Sequence, residues 1–358
     1  MAKKCSQTRP ALARANAPKL LDLEAPLTAV TPKLPETPFS GIMREHSYAS
    51  STPITDGEKL YVFFGKSGVF AFDLDGKQLW SADVGSATHM WGSAASPALC
   101  KDVLIVNASI ESKSIVALDK NTGKEIWRKS NIGNSWSSPV VVETKDGGCE
   151  VVMSLPGKVV AYELKTGKEL WHCEGIGGGK GGGGFGGGGF GGGKGGSYTA
   201  STRVVKDGVV YVIGGGGPSA AAVSFAVKAG GKGDVNATHV LWKQKAGASS
   251  PSPVISGEQL LFVDGTVTSM SLADGKITYK ERLHDARGEY VSAVAAGDKV
   301  YALTRYNGMF VIAGGAKFEK LGHYDFPGDT SIFNASPAIT DGRLFVRSNA
   351  YLYCIGKK

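Results

Sequence analysis

The chain has no close pair of cysteines: Cys5, Cys100, Cys149, Cys173 and Cys354 are five in number and far apart. That spacing signals neither a zinc site nor a disulfide framework, and it leaves oxidising export neither required nor excluded. No apolar run approaches the roughly 20 residues of a membrane-crossing helix. The start, MAKKCSQTRPALARANAPKLLDLEAP, has five basic residues before Asp22 but no apolar leader stretch, and Pro10 and Pro18 interrupt any amphipathic targeting helix. The expectation is a chain with no recognisable export address. His46, His89, His172, His239, His284 and His323 show no HxH or HxxxH spacing, so they read as ordinary strand-end or loop histidines and not as metal ligands. No GxSxG elbow leads into a helix, which removes the usual signature of a serine hydrolase.

What is present is the composition of a globular protein. Hydrophobic residues make up 42% and charged residues 20% of the 358, enough for a sizeable core in one large domain or two or three smaller ones. The net charge of +8 comes from 40 Lys and Arg against 32 Asp and Glu. The basic residues are spread along the chain, which supports solubility and argues against a dedicated nucleic-acid site.

The conspicuous run GGGKGGGGFGGGGFGGGKGG, residues 177–196, holds sixteen glycines, two Phe and two Lys. A phosphate-binding P-loop needs Gly-Lys-Ser/Thr opening a helix, whereas Lys180 and Lys194 are each followed by Gly. Phe185 and Phe190 could stack on single-stranded nucleic acid, yet the run has no Arg. It reads as a flexible, solvated loop inserted between two repeats.

The organising feature is an internal repeat. STPITDGEKLYVFFGKSGVFAFDLDGKQLW (51–80) is followed by SAASPALCKDVLIVNASIESKSIVALDKNTGKEIW (93–127) and SSPVVVETKDGGCEVVMSLPGKVVAYELKTGKELW (137–171). The shared plan is Ser-Pro, an apolar run, a Gly or Asp turn, a second apolar run, Ala-x-acid, Thr-Gly-Lys and Trp. Four weaker copies follow, with Tyr279 in the Trp place of the fifth. Anchors at Pro53, Pro97, Pro139, Arg203, Pro253, Ala293 and Pro337 are separated by 44, 42, 64, 50, 40 and 44 residues. Each copy predicts four short antiparallel strands, because its apolar segments are β-branched, aromatic and alternating, and its Asp-Gly and Thr-Gly-Lys sites are tight turns. Asp56, Asp207 and Asp341 are accordingly turn formers and not catalytic acids. Seven such units describe an all-β β-propeller of four-stranded blades. Trp80, Trp127, Trp171 and Trp242 recur in the outermost strand, where an indole can wedge between blades and hydrogen-bond through its N–H.

The motif ALDKNTGKEIW, with AYELKTGKELW and AFDLDGKQLW, resembles the PQQ-like (quinoprotein-dehydrogenase-like) propeller repeat, and bacterial BamB-like proteins in particular. The resemblance covers roughly residues 46–356 and is specific for fold, not activity. That family is typically eight-bladed, so the seven copies imply either seven blades or a family fold without one. Residues 46–358 form the propeller, and residues 1–45 are an extension. This extension either supplies the missing last strand, from around Leu20–Val30, or is a disordered or altered terminus.

The resemblance implies a non-catalytic interaction scaffold in the periplasm or cell envelope, monomeric and with protein partners, in outer-membrane protein assembly. A quinone-dependent oxidoreductase, with pyrroloquinoline quinone and calcium over the propeller axis, is the alternative it implies. No cofactor, metal or catalytic residue can be carried over, and the adjacent cysteine pair of many such enzymes is missing. A carbohydrate- or peptide-binding sensor is a third reading. The candidate surface is a rim of aromatics that precede the inner strands: Tyr48, Trp91, Trp136, Tyr198, Tyr290 and Phe333. Their other reading is that they simply pack between blades.

Overall fold

The computed structural model describes residues 2–5, 50–144, 147–176, 201–214, 222–248, 251–284, 286, 288 and 291–356. The glycine run, Leu20–Val30, Tyr48, Tyr198 and Tyr290 lie outside them. Among the described residues the strands make seven sheets, each a four-stranded antiparallel blade of a β-propeller, the third extended by a short parallel strand at Gly233–Asp234, with a single 3-10 turn at Gly65–Ser67. The chain divides into two compact units: Val30–Ser249, with blades 1 to 4, and Ser250–Lys358 together with Met1–Ala29, with blades 5 to 7.

Each repeat element has a mechanical reason. In blade 1 the fourth strand, Gln78–Ala82, buries only Trp80, and in blade 2 the fourth strand, Glu125–Lys129, buries only Trp127. Directly opposite on the third strand stands a small residue: Ala71 faces Trp80, Ala117 faces Trp127, Ala161 faces Trp171 and Ala226 faces Trp242. A bulge follows at once in every case, so the residue before the Trp has no partner; Leu79, Ile126 and Leu241 turn outward, whereas Leu170 packs against the layer between blades 3 and 4. Ser269 opposite Tyr279 repeats the device in blade 5, and in blade 6 it is inverted, with Val311 opposite Gly322.

The indole then reaches the next blade. Trp80 Nε1 donates to Lys120 O at 2.9 Å, and Trp127 Nε1 donates to Leu164 O at 2.7 Å. Under each ring lies the glycine of the neighbour's Thr-Gly-Lys turn. A Cβ on Gly123 would stand 2.6 Å from the Trp80 ring, and one on Gly167 would stand 2.6 Å from the Trp127 ring. The acid before each turn fastens it: Asp119 Oδ1 accepts the N–H groups of Asn121 and Thr122. Trp171 differs, donating to Glu150 Oε2 of its own blade at 2.7 Å, where Gly230 N–H also arrives.

The core consists of layers between consecutive sheets. Tyr61, Phe63 and Trp80 of blade 1 pack on Leu104, Val106 and Leu118 of blade 2. Equivalent clusters join blades 2 and 3, 3 and 4, 5 and 6, and 6 and 7.

The Ser-Pro sites form a second, polar series. Thr52 N–H donates to Ser96 Oγ, Ser96 N–H to Ser138 Oγ and Ser138 N–H to Thr202 Oγ1. In the other unit Ser252 N–H donates to Ser292 Oγ. A residue that precedes proline is held extended, so its N–H is fixed toward the next blade's hydroxyl. Asp207 and Asp341 take left-handed φ of 51° and 48° in their turns, and Asp56 caps its turn through Glu58 and Lys59 N–H.

Two findings depart from the sequence expectations. The fourth strand of blade 7 is Ala2–Cys5, pairing antiparallel with Leu352–Gly356 from Ala2 opposite Ile355 to Cys5 opposite Leu352. The segment expected in that role, Leu20–Val30, lies outside the described residues. Cys100 of blade 2 and Cys149 of blade 3 form a disulfide across the two blades, with Cα atoms 7.1 Å apart. Distant spacing in sequence concealed the pair, because register places the end of one blade's first strand beside the start of the next blade's second strand.

Gly167→Ala is expected to cost about 2–3 kcal/mol, through the φ penalty plus collision with Trp127. Gly208→Ala, at φ 73° with nothing near its Cβ, should cost about 1 kcal/mol. Urea unfolding of both variants checks this, and equal costs would contradict Trp–Gly docking. Non-reducing peptide mapping should recover the Cys100–Cys149 cross-link, and Cys100→Ser should lower stability by up to about 4 kcal/mol.

Candidate functional site

In an antiparallel meander, alternate connections fall at the same end of the sheet. Hairpins joining second to third strands therefore share an end with the segments leading from blade to blade, and in blades 1 to 3 these pieces interlock. Segment 83–97 runs from blade 1 to blade 2. Its Ala87 N–H donates to Glu111 O in the hairpin 109–113 at 3.0 Å. Gly85, with φ 122°, lies so close that a Cβ would come within 2.6 Å of the same carbonyl. Segment 130–139 runs on to blade 3 and joins through Ile132 N–H donating to Lys113 O at 2.8 Å.

These segments bring Trp91 and Trp136 together with His89. The ring centroids are 5.3 Å apart for the two indoles, 5.0 Å for His89–Trp136 and 5.7 Å for His89–Trp91. Trp136 is buried and donates through Nε1 to Gly92 O at 2.8 Å. Trp91 and His89 are half-buried, and Met90 between them in sequence is 56% exposed. His89 Nδ1 accepts Trp91 N–H at 3.2 Å, and burial, with Lys113 behind it, holds the imidazole pKa below its usual value. Packing between blades thus accounts for Trp136, while Trp91 and Met90 keep a face to solvent.

Beneath this shelf is a carboxyl that the repeat pattern gave no reason to expect. Glu111 is 3% exposed; its Oε1 accepts from Ser93 Oγ, and its Oε2 has no hydrogen-bond partner. Gly65 closes over the pair: a Cβ there would meet Ser93 Oγ at 2.8 Å and Glu111 Oε1 at 3.3 Å. Burial pushes the carboxyl up to about 7, against the lowering pull of Ser93, its own backbone and Lys113.

A buried polar net supports the site from below. Asn107 Nδ2 donates to Ser135 O and Ser137 O, Ser109 Oγ to Ser135 O, and Ser137 Oγ to Ser201 O. Arg203, which stands where other blades have proline, is 2% exposed and donates to Val152 O, Ser138 O and Ser137 Oγ. Burial presses its pKa downward, and neutral oxygens answer its charge in place of a carboxylate. Of the other rim candidates, Phe333 lies in the second unit, buried against Phe326 at 4.8 Å, and Tyr48, Tyr198 and Tyr290 fall outside the described residues.

Residues 45–130 match the family model described as outer membrane protein assembly factor BamB. That span holds blades 1 and 2, hence Trp80, Trp91, Glu111 and Trp127. BamB from Moraxella catarrhalis superposes with a TM-score of 0.64 at 16% identity, over 86% of this chain and 85% of that one. The quinohemoprotein alcohol dehydrogenase ADHIIG from Pseudomonas putida HK5 gives 0.54 at 14% identity, over 84% of this chain and 63% of that one. The fold is that of a PQQ-like β-propeller. The C-terminal WD40 domain of Sif2 is also similar to this propeller, with a TM-score of 0.61 at 10% identity, over 86% and 81% of the two chains. No curated protein matches the sequence.

The quinoprotein likeness raises the question of a quinone held with calcium. Among the described residues no three His, Cys, Asp or Glu side chains converge in a group able to hold a metal ion. A lone carboxyl already engaged by Ser93 is a poor seat for a divalent ion. The residues around Glu111 do not fit such a group. Among the described residues, too, no helix is long and apolar enough to cross a membrane.

Glu111 has a measurable signature. Its folded carboxyl sits near 7, above its ordinary 4.5, so its contribution to stability is complete below pH 4.5. As pH rises toward 7 the unfolded chain gives up a proton that the native protein retains, and about 3 kcal/mol should be lost across that window. Urea unfolding from pH 4.5 to 8 should show this fall in the wild type and lose that part of the slope in Glu111→Gln.

Proposed function

We propose that this propeller is a non-catalytic scaffold of the cell envelope that docks protein partners through the shelf around Trp91, in the service of outer-membrane protein assembly. One observation carries the reading. The segment matching the family described by that assembly role, residues 45–130, is the one that presents half-buried Trp91 and exposed Met90 on an interlocked base. An aromatic and a thioether held on a rigid, buried support suit a protein interface, since little side-chain freedom remains to be lost on binding. The likeness to BamB along most of both chains supports scaffolding, and the Cys100–Cys149 disulfide supports an oxidising compartment. The docking surface is narrower than the six-residue rim read from sequence, because Trp136 and Phe333 are buried in the packing.

A photo-reactive residue placed at position 90, irradiated in an envelope fraction at pH 6, is expected to give a discrete cross-linked partner. The purified partner should then bind the wild type and lose about tenfold or more in affinity to Trp91→Ala with unchanged unfolding midpoint. A folded protein that cross-links to nothing, or a partner indifferent to Trp91→Ala, would end the reading.

A further inference from the structure

We propose that Glu111 is a proton-operated latch that fastens segment 83–93, and with it Trp91, onto blade 2. The latch adds regulation to the docking shelf and rests on that reading for its biological consequence alone. Its physical basis is a mismatch between burial and pairing. Glu111 is 3% exposed, Ser93 Oγ serves one oxygen, and the other oxygen has no partner. As a neutral acid the side chain suits this site; as a carboxylate it is an under-paired charge withdrawn from water.

The elements around it offer no remedy in place. Lys113 on its own hairpin draws the carboxyl toward ionisation, yet its Nζ donates to Asn134 Oδ1. Lys66 follows Gly65 on the blade 1 hairpin, and Asp83 and His89 lie on the covering segment. Arg128 reaches Ser112 Oγ and pairs with Glu125. None of these hydrogen-bonds Oε2. His89, held below its usual pKa, is neutral where Glu111 changes charge, near pH 7. The least costly relief is therefore to let water in by lifting the cover. That cover is held to Glu111 by Ala87 N–H and Ser93 Oγ, and to the next segment by the Trp136 bond to Gly92. At acid pH the shelf is fastened, and it loosens as pH rises toward 7.

Hydrogen exchange of peptides covering 83–93, on the whole protein from pH 4 to 8.5 and corrected for intrinsic rates, tests the latch without any partner. In the wild type protection should fall about tenfold or more between pH 4.5 and 7, with its midpoint inside that window and a plateau above 7. Glu111→Gln, neutral at every pH, should stay protected throughout, and His89→Gln should keep the wild-type midpoint. Ser93→Ala, which removes a bond favouring the charged form, should move the midpoint upward and serves if Glu111→Gln does not fold. Flat wild-type exchange, an unmoved midpoint in Ser93→Ala, a retained transition in Glu111→Gln, or a midpoint that follows His89 would each overturn the proposal. The cross-linking experiment is run at a single pH, so the latch and the docking shelf fail separately.

Discussion

The indoles of Trp80 and Trp127 each depend on two missing side chains, one in their own sheet and one in the next. Ala71, Ala117, Ala161 and Ala226 leave room across the ladder, so a ring too large for the edge of a pleated sheet can lie down and be covered. Gly123 and Gly167 leave room in the neighbouring turn, where any Cβ would strike the ring. Burial and direction arrive together: the indole removes apolar surface from water, while its N–H selects one carbonyl of the following blade. The layers between sheets are thereby held at a fixed spacing, and those layers are most of the core.

The candidate site inherits its stiffness from that arrangement. Hydroxyl groups at the Ser-Pro sites tie the first strands to one another, as the indoles tie the last. Segments crossing between blades are thus fixed at both ends, and the rings and carboxyl they carry are placed by backbone. Where the repeat departs from its own rule, polar groups appear. Arg203 replaces a proline and becomes a buried clamp on three oxygens, and Glu111 occupies a hairpin whose counterpart in blade 1 holds Gly65.

The architecture was readable from the chain because each blade repeats the same physical requirement. Ala-x-acid, Thr-Gly-Lys and Trp mark a small partner, a turn with left-handed backbone and a wedge, and the order in which they occur dictates four strands. Trp91 and Trp136 were readable as aromatics at equivalent places, but position alone could not say which ring would be covered. Glu111 was hidden for a different reason. Its state follows from burial by a segment of another blade, and nothing within NASIES, residues 107–112, foretells that neighbour. The same holds for Cys100 and Cys149, whose meeting depends on sheets lying face to face. Phe333 had the right repeat position and yet is spent on packing with Phe326 and Tyr353.

The strand Ala2–Cys5 belongs to a sheet whose other members begin at Ala338. Its ladder partner, Leu352–Gly356, is made only after all the intervening blades, so the earlier strand has to wait for the later one. Among the strand pairs of the described residues this one has the largest sequence separation, and so its closure has the largest loop entropy to overcome. Until it happens, the backbone of Leu352–Gly356 is an open template, able to recruit the leading strand of a second molecule as readily as its own.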